Sequence, residues 1–532
     1  MTQAHQITRR TLMGSVAAFG AVAALPAFAK DFGSATTVVA TSNGPVRGRF
    51  EADGVQAFKG LRYAAPPLGP LRFRAPQPLA KWSAVVDAAT FGNAAIQSAG
   101  QPDAPFDETQ SEDCLFLNVW TAGALTAKRP VMVWLHGGGF ASGAAGRPTY
   151  WGDHFARDGV VLVSLNHRLN VFGFTQLPDS WGPDYASSGL AGMLDIVAAL
   201  EWVKTNIAQF GGDPHNVTIF GESGGGAKVS LLLGMPVAKG LYHKAIIQSG
   251  AALDAAPRAY AQALGGALTE ELAVIPGDVA ALAAVAPQKV FAAQDAAMAK
   301  VSKRASHGFL IDGFVPSIDR RALPRGPFSP DAQDMVADVP LIIGTNRDEG
   351  TMFALGNTAL ASETDAGFEQ FVKEKYAKQP NRIAAALRAT YPGYAPGDLV
   401  TALNGNQMFW VDSIKLAERK LRQRAPVWMY RMDWEAPAAG GRLKAGHAVE
   451  LSFVFGTYAN VPDFVGTGPG PARMAAQMHP AWVAFAKTGN PQTAATPAWP
   501  RYDLARRQTM IFNLESRVES DPHADLRKLL VA

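Results

Sequence analysis

Along most of the chain, short apolar, β-branched runs alternate with segments whose apolar positions recur at helical spacing. The runs fall at 131–135, 160–165, 217–220, 245–248, 340–344 and 427–432, most of them bounded by Gly, Pro, Asn or Asp. They are nearly continuous in apolar residues, which is the pattern of strands buried on both faces. Helical patterns occupy 193–209 and 410–421. An alanine-rich stretch, 251–300, predicts helices inserted over one end of the sheet. This alternation predicts an α/β protein with a large, mostly parallel central sheet flanked by helices. No linker divides the chain, so residues 30–532 are expected to form one domain although 532 residues exceeds the usual single-domain length.

The first 29 residues follow a different pattern. Thr8-Arg9-Arg10-Thr11-Leu12-Met13 sets paired arginines ahead of an apolar run over 12–25, and Ala27 and Ala29 supply small residues two apart. Residues 1–29 are expected to be a twin-arginine-type signal cleaved after Ala29, placing the mature chain in the periplasm or outside the cell. An uncleaved anchor is the alternative reading, because the run approaches spanning length. Its alanine and glycine content and the breaker Pro26 favour cleavage. No other segment is expected to cross a membrane.

Charge and cysteine content narrow the function classes. Without Arg9 and Arg10, 47 basic residues face 45 acidic ones, and no Lys/Arg stripe is interleaved with aromatics. Nucleic acid is therefore not an expected partner. Cys114 is the only cysteine, so no internal disulfide can form and the core must carry the stability.

Candidate chemistry begins at Thr218-Ile219-Phe220-Gly221-Glu222-Ser223-Gly224-Gly225-Gly226. A strand runs into Gly-x-Ser-x-Gly and a helical pattern follows at 227–233. Such a bend strains the serine backbone and excludes bulk two residues before and after it. Glycines that open a helix cost roughly 1 kcal/mol each relative to alanine, a cost that packing alone rarely explains. Ser223 is the candidate nucleophile. Acyl transfer also needs donors for the developing oxyanion. The strand at 131–135 ends in His136-Gly137-Gly138-Gly139-Phe140, whose backbone is free to approach a carbonyl oxygen. The N–H groups of Gly138, Gly139 and Gly224 are the candidate donors.

A serine nucleophile needs a base, and with this bend the acid and the histidine follow the serine in chain order. Beyond residue 300 the histidines are His307, His447, His479 and His523. His523 lies in a polar tail. His479 precedes Pro480 at an expected helix start, where capping explains it, and His307 precedes the acid candidates. His447 follows the strand at 427–432 through a glycine-containing segment, as a loop histidine should. The strand at 340–344 leads to Asp348 and Glu349. Only one of these neighbours can face the imidazole, and spacing does not choose between them.

Further motifs carry a resemblance over nearly all of the mature chain. They are Phe58-Lys59-Gly60-Leu61-Arg62-Tyr63-Ala64-Ala65-Pro66-Pro67, Ser111-Glu112-Asp113-Cys114-Leu115-Phe116-Leu117-Asn118, Phe210-Gly211-Gly212-Asp213-Pro214 and Thr488-Gly489-Asn490-Pro491. With the serine bend they resemble the type B carboxylesterases, the family of bacterial para-nitrobenzyl esterases, mammalian carboxylesterases and cholinesterases. The resemblance implies the α/β-hydrolase fold, hydrolysis of small-molecule esters and no metal or organic cofactor. It maps the acid onto Glu349 and the base onto His447, ahead of Glu450-Leu451. It places Glu222 near the imidazole and makes Arg168 with Asp195 a structural ion pair. The chain departs from the family in three places. Gly224 stands where alanine is common, and Ala95 stands where a cysteine partner of Cys114 often lies, leaving a free, buried thiol. His167 replaces a usual tyrosine. An amidase or carbamate hydrolase using the same residues, and a non-catalytic scaffold, are the rival readings. Phe140, Phe172, Phe409, Trp410 and Phe453 are candidates for an apolar gorge, each with an ordinary core role as the competing explanation.

Overall fold

The computed structural model describes residues 33–98, 109–301, 312–330, 332 and 334–531. The signal segment 1–29 and His307 lie outside the described residues. Thirteen strands among those residues form one sheet: β1 (Ala35–Ala40), β2 (Pro45–Phe50), β3 (Val55–Arg62), β4 (Val86–Asp87), β5 (Phe116–Ala122), β6 (Arg129–Leu135), β7 (Val161–Leu165), β8 (Gly212–Glu222), β9 (Lys244–Gln248), β10 (Leu341–Asn346), β11 (Val427–Met432), β12 (Gln508–Phe512) and β13 (Arg517–Ser520). Their spatial order is β1-β2-β3-β5-β7-β6-β8-β9-β10-β11-β12-β13, with β4 paired to β2. From β7 to β12 every pairing is parallel. Along that order the flanking pairings are antiparallel, while β4 pairs β2 in parallel, so the sheet is mixed.

The six strands expected from the sequence are the six contiguous parallel ones from β7 to β11. Alternation along β6 explains their apolar character. Val131, Val133 and Leu135 join the core on one face, while Met132 and Trp134 join the core on the other. Both faces of each central strand are covered, which favours apolar residues at most of its positions. The helix α1 (Ala191–Asn206) contributes Met193, Ile196, Ala199, Leu200 and Val203 to the first of these layers. Residues 251–300 carry the helices Arg258–Glu271, Val279–Ala284 and Pro287–Lys300, inserted where β9 ends and before β10 begins.

A helical run, Pro183–Phe210, is long and apolar enough to cross a bilayer, but 72% of its most apolar stretch is buried inside the fold. It contains α1, whose apolar residues serve the core. Cys114 is a free buried thiol, as expected, and burial pushes it far above the usual thiol range.

A buried ion pair fixes the loop after β7 to α1. Arg168 gives Asp195 two side-chain hydrogen bonds, at 2.8 and 2.6 Å, and its backbone N–H a third at 3.1 Å. Both side chains are buried. Removing one partner strands the other charge in a low dielectric. Asp195→Ala is therefore expected to destabilise the protein by about 3–5 kcal/mol, read from the midpoint and slope of urea unfolding. A loss below about 1 kcal/mol, the range of an exposed pair, contradicts this.

Candidate active site

The serine bend is a single residue wide. β8 ends at Glu222 and the helix α2 (Gly224–Leu233) starts at Gly224, leaving Ser223 at φ 56 and ψ −123. An L-residue at that conformation stores roughly 1–3 kcal/mol of strain, so its surroundings must hold it. The Ser223 N–H donates to the Gln248 carbonyl at 2.9 Å, and the Ser223 carbonyl accepts from Ala227 at 3.0 Å. Backbone crowding does the rest. A Cβ on Gly225 would sit 1.9 Å from the Leu135 oxygen, and one on Gly221 would sit 2.5 Å from the Gly225 carbonyl carbon. No side chain fits at either position.

The same crowding places the glycine loop that follows β6. Gly138 and Gly139 have φ of 84 and 64. The Gly139 oxygen lies 2.0 Å from where a Cβ on Gly224 would be, and a Cβ on Gly137 would lie 2.9 Å from Glu222 Oε2 and 3.2 Å from the Glu222 carbonyl oxygen. The loop and the start of α2 thus touch backbone to backbone. This contact is a physical reason for glycine at 224.

His447 arrives on a loop stitched to the turn after β10. Asn346 Nδ2 donates to the Gly446 carbonyl at 2.7 Å, Thr351 Oγ1 to the Leu443 carbonyl at 2.6 Å, and Asp348 N to the Ala445 carbonyl at 2.9 Å. The carboxylate of Asp348 belongs to this scaffold. It accepts from Tyr394 Oη at 2.6 Å, Arg347 Nε at 3.0 Å and Ala445 N at 3.2 Å. Glu349 is the residue that faces the imidazole: His447 Nδ1 lies 2.6 Å from Glu349 Oε2. Its other oxygen accepts from Ser249 Oγ at 2.5 Å and Asn346 N at 2.7 Å. The choice that spacing left open between Asp348 and Glu349 is thereby made geometrically.

The second imidazole nitrogen, Nε2, lies 3.0 Å from Glu222 Oε1 and makes no hydrogen bond to the Ser223 hydroxyl in this structure. The imidazole is buried between carboxylates. Burial alone lowers its proton affinity, but Glu222, Glu349 and Glu450 outweigh burial and raise its pKa to about 9. Glu450 is itself fully buried. Its oxygens accept from Asn346 Nδ2 at 2.6 Å and Gln248 Nε2 at 3.1 Å. Burial, with Glu349 nearby, holds it above the usual carboxylate range. Nε2 thus faces Glu222, and while the imidazole is protonated it must lose that proton before it can act as a base.

The other histidines are placed elsewhere. His479 does not start a helix. It lies within the helix α3 (Pro469–Thr488), which continues through Pro480. The buried face formed by Met474, Met478, Trp482 and Phe485 outweighs the roughly 3 kcal/mol that an interior proline costs. His479 joins Val454 O at 2.7 Å to Asp158 Oδ2 at 3.0 Å. His523 is not in a free tail either. It caps a short helix and stacks on Tyr391 at 5.8 Å, and burial drops its pKa to about 3. His167 stacks on His136 at 4.9 Å. Of the gorge candidates, Phe409 alone lies on His447, 4.5 Å between ring centres, delivered by a π-helical turn at Asn406–Trp410. Trp410 faces His523, and Phe453 packs on Trp434. Phe140 and Phe172 are buried. Sequence reasoning missed Phe353, 5.1 Å from the imidazole, and Ser249, whose φ of 45 betrays strain. Among the described residues no group of His, Cys, Asp or Glu is arranged to hold a metal ion.

Strands in this order, with a serine on a strained bend between strand and helix at the carboxyl edge, define the class: an α/β-hydrolase. The sequence pattern of the carboxylesterase family matches residues 35–527, and the chain belongs to that family. It is a type B carboxylesterase, a hydrolase of small-molecule esters. The chain is 36% identical over 506 residues to the para-nitrobenzyl esterase of Bacillus subtilis (strain 168), covering 93% of this chain and 98% of that protein. It is 33% identical over 490 residues to the phenmedipham hydrolase of Pseudarthrobacter oxydans, covering 87% and 92%. A carboxylesterase of Geobacillus stearothermophilus superposes with a TM-score of 0.80 at 36% identity, covering 93% of this chain and all of that one (100%).

Protonated His447 cannot accept a proton, so kcat/KM is expected to rise with pH through an ionisation well above the ordinary histidine value of 6.5. Glu222→Gln removes one of the charges that raise it. The limb should then move to lower pH by about one unit or more. An unmoved limb in a folded Glu222→Gln variant contradicts this electrostatic account.

Proposed function

We propose that the chain cleaves carboxylic esters through an acyl-enzyme on Ser223. His447 is the base, Glu349 its orienting carboxylate, and the N–H groups of Gly138, Gly139 and Gly224 the oxyanion donors. The observation that carries this reading is the 2.6 Å contact between His447 and Glu349 on loops beside a serine held at φ 56. Glu349 accepts from Nδ1, which leaves Nε2 as the nitrogen able to take a proton. Once deprotonated, Nε2 gains nothing from Glu222, which can only accept, and turns to the Ser223 hydroxyl as its donor. Attack on the ester carbonyl moves that proton to Nε2 and the negative charge to the oxygen facing the glycine loop. Glu349 and Glu222 then stabilise the imidazolium. His447 returns the proton to the departing alcohol, and water repeats the sequence on the acyl group.

Phe409 and Phe353 flank the imidazole, so the reacting carbonyl meets an aromatic wall. That wall supports apolar or aryl esters as substrates, in keeping with the printed name of the Bacillus relative. The mature enzyme, residues 30–532, is a single catalytic domain in the periplasm or outside the cell, freed of a signal at 1–29. Glutamate at 222 serves as a neighbour that holds the imidazolium and takes no proton from substrate.

Ser223→Ala is expected to lower kcat for an aryl ester by about 10⁴-fold or more, with an unchanged melting temperature. Near-wild-type turnover by that variant ends the assignment.

A further inference from the structure

Lys228 lies five residues beyond Ser223 in α2, and none of it is exposed. A buried amine is expensive, and an apolar side chain of similar length would fill the same space without the desolvation cost. Packing therefore does not account for it. Its Nζ donates to the carbonyl oxygen of His136 at 3.0 Å. That carbonyl occupies a particular place. The β6–β8 ladder ends with Leu135 opposite Gly221, so His136 is the first residue past the ladder and the root of the Gly137-Gly138-Gly139 loop. The oxygen is buried with its residue and needs a donor from outside the sheet.

The surroundings suit this single task. The stacked rings of His136 and His167 lie nearby. Burial, with the positive charge of Lys228, holds both well below the ordinary histidine value, so neither adds a competing charge. Nζ lies 5.5 Å from the ring centre of Phe140, the residue that closes the loop. Burial pulls Lys228 down to about 7 against the attraction of Glu222, and either protonation state still donates a hydrogen. The glycine loop is thus gripped at two points: at its root by Lys228, and at Gly139 by contact with Gly224.

We propose that Lys228 is a positioning residue that anchors the root of the oxyanion loop through the His136 carbonyl and so sets where the Gly138 and Gly139 N–H groups point. The inference rests on the ester-hydrolase reading with Ser223 as nucleophile. A donor displaced by a fraction of a bond length loses much of its value in the transition state and little in substrate binding.

The test compares Lys228→Met, Lys228→Gln and wild type, with Lys228→Leu replacing the methionine variant if that one does not fold. The readouts are kcat, KM, melting temperature and the inhibition constant of an aryl trifluoromethyl ketone, whose serine adduct places an oxyanion in the loop. The apolar variant is expected to lose about 10- to 100-fold in kcat and in inhibitor affinity, with KM within about threefold and the melting temperature unchanged or raised. Lys228→Gln, which keeps a donor, should recover most of both. A folded apolar variant with kcat and inhibitor affinity within about twofold of wild type overturns the proposal, as does a glutamine variant no better than the apolar one. Ser223→Ala run alongside separates the two failures. Activity there removes the reading of Ser223 as nucleophile, whereas an inert Ser223→Ala beside an unimpaired apolar variant removes only the role of Lys228.

Discussion

At the carboxyl edge of the sheet, the Leu135 carbonyl and the Gly225 backbone lie so close that a methyl group cannot be placed between them. This contact joins the end of β6 to the start of α2. It forces the chain to turn within one residue at Ser223, and it seats the glycine loop against Gly224. The turn is strained, so it persists only because neighbouring backbone over-determines it. Strands β9, β10 and β11 end at the same edge and bring Ser249, Glu349 and the His447 loop to it. Chemistry at this edge follows the general rule that open α/β sheets place ligands beyond the carboxyl ends of their strands.

Electrostatics supply the second layer. One buried imidazole faces Glu222 and Glu349 directly, with Glu450 behind. Three carboxylates and one cation would leave excess negative charge in a dry site. Burial instead holds Glu450 above the ordinary carboxylate range, while donors from Asn346 and Gln248 satisfy both its oxygens. The arrangement favours the charged imidazole, the species formed during attack. Stabilising that species lowers the barrier once the base is free, and it also delays deprotonation of the resting enzyme. One set of charges therefore governs both the rate and its pH dependence.

Much of this was legible in the sequence, for identifiable reasons. The central strands announced themselves because both of their faces are buried, as Trp134 and Val133 illustrate. The flanking strands did not. In β1 only Thr36 and Val39 are buried, so its apolar residues follow neither an alternating nor a fully buried pattern. The glycines of the bend and the loop were readable because crowding permits nothing else. Spacing left Asp348 and Glu349 undecided, since adjacent residues differ only in which way the turn points them. His479 was misplaced because Pro480 reads locally as a helix boundary, whereas the burial that carries the helix through it is tertiary. Ser249, Phe353 and Lys228 gave no signal, as their partners lie far away along the chain: Lys228 meets His136 across 92 positions and Ser249 meets Glu349 across 100.

The account stands on Ser223 as the atom that carries the acyl group. The most direct measurement is to quench the enzyme with acid during turnover of a slowly deacylating aryl ester and to locate the acyl mass by peptide mass spectrometry. A single acyl group on the peptide spanning the bend, assigned to Ser223, is the predicted result. An acyl group on another residue, such as the strained Ser249 beside Glu349, or rapid turnover with no covalent adduct at any quench time, would contradict it.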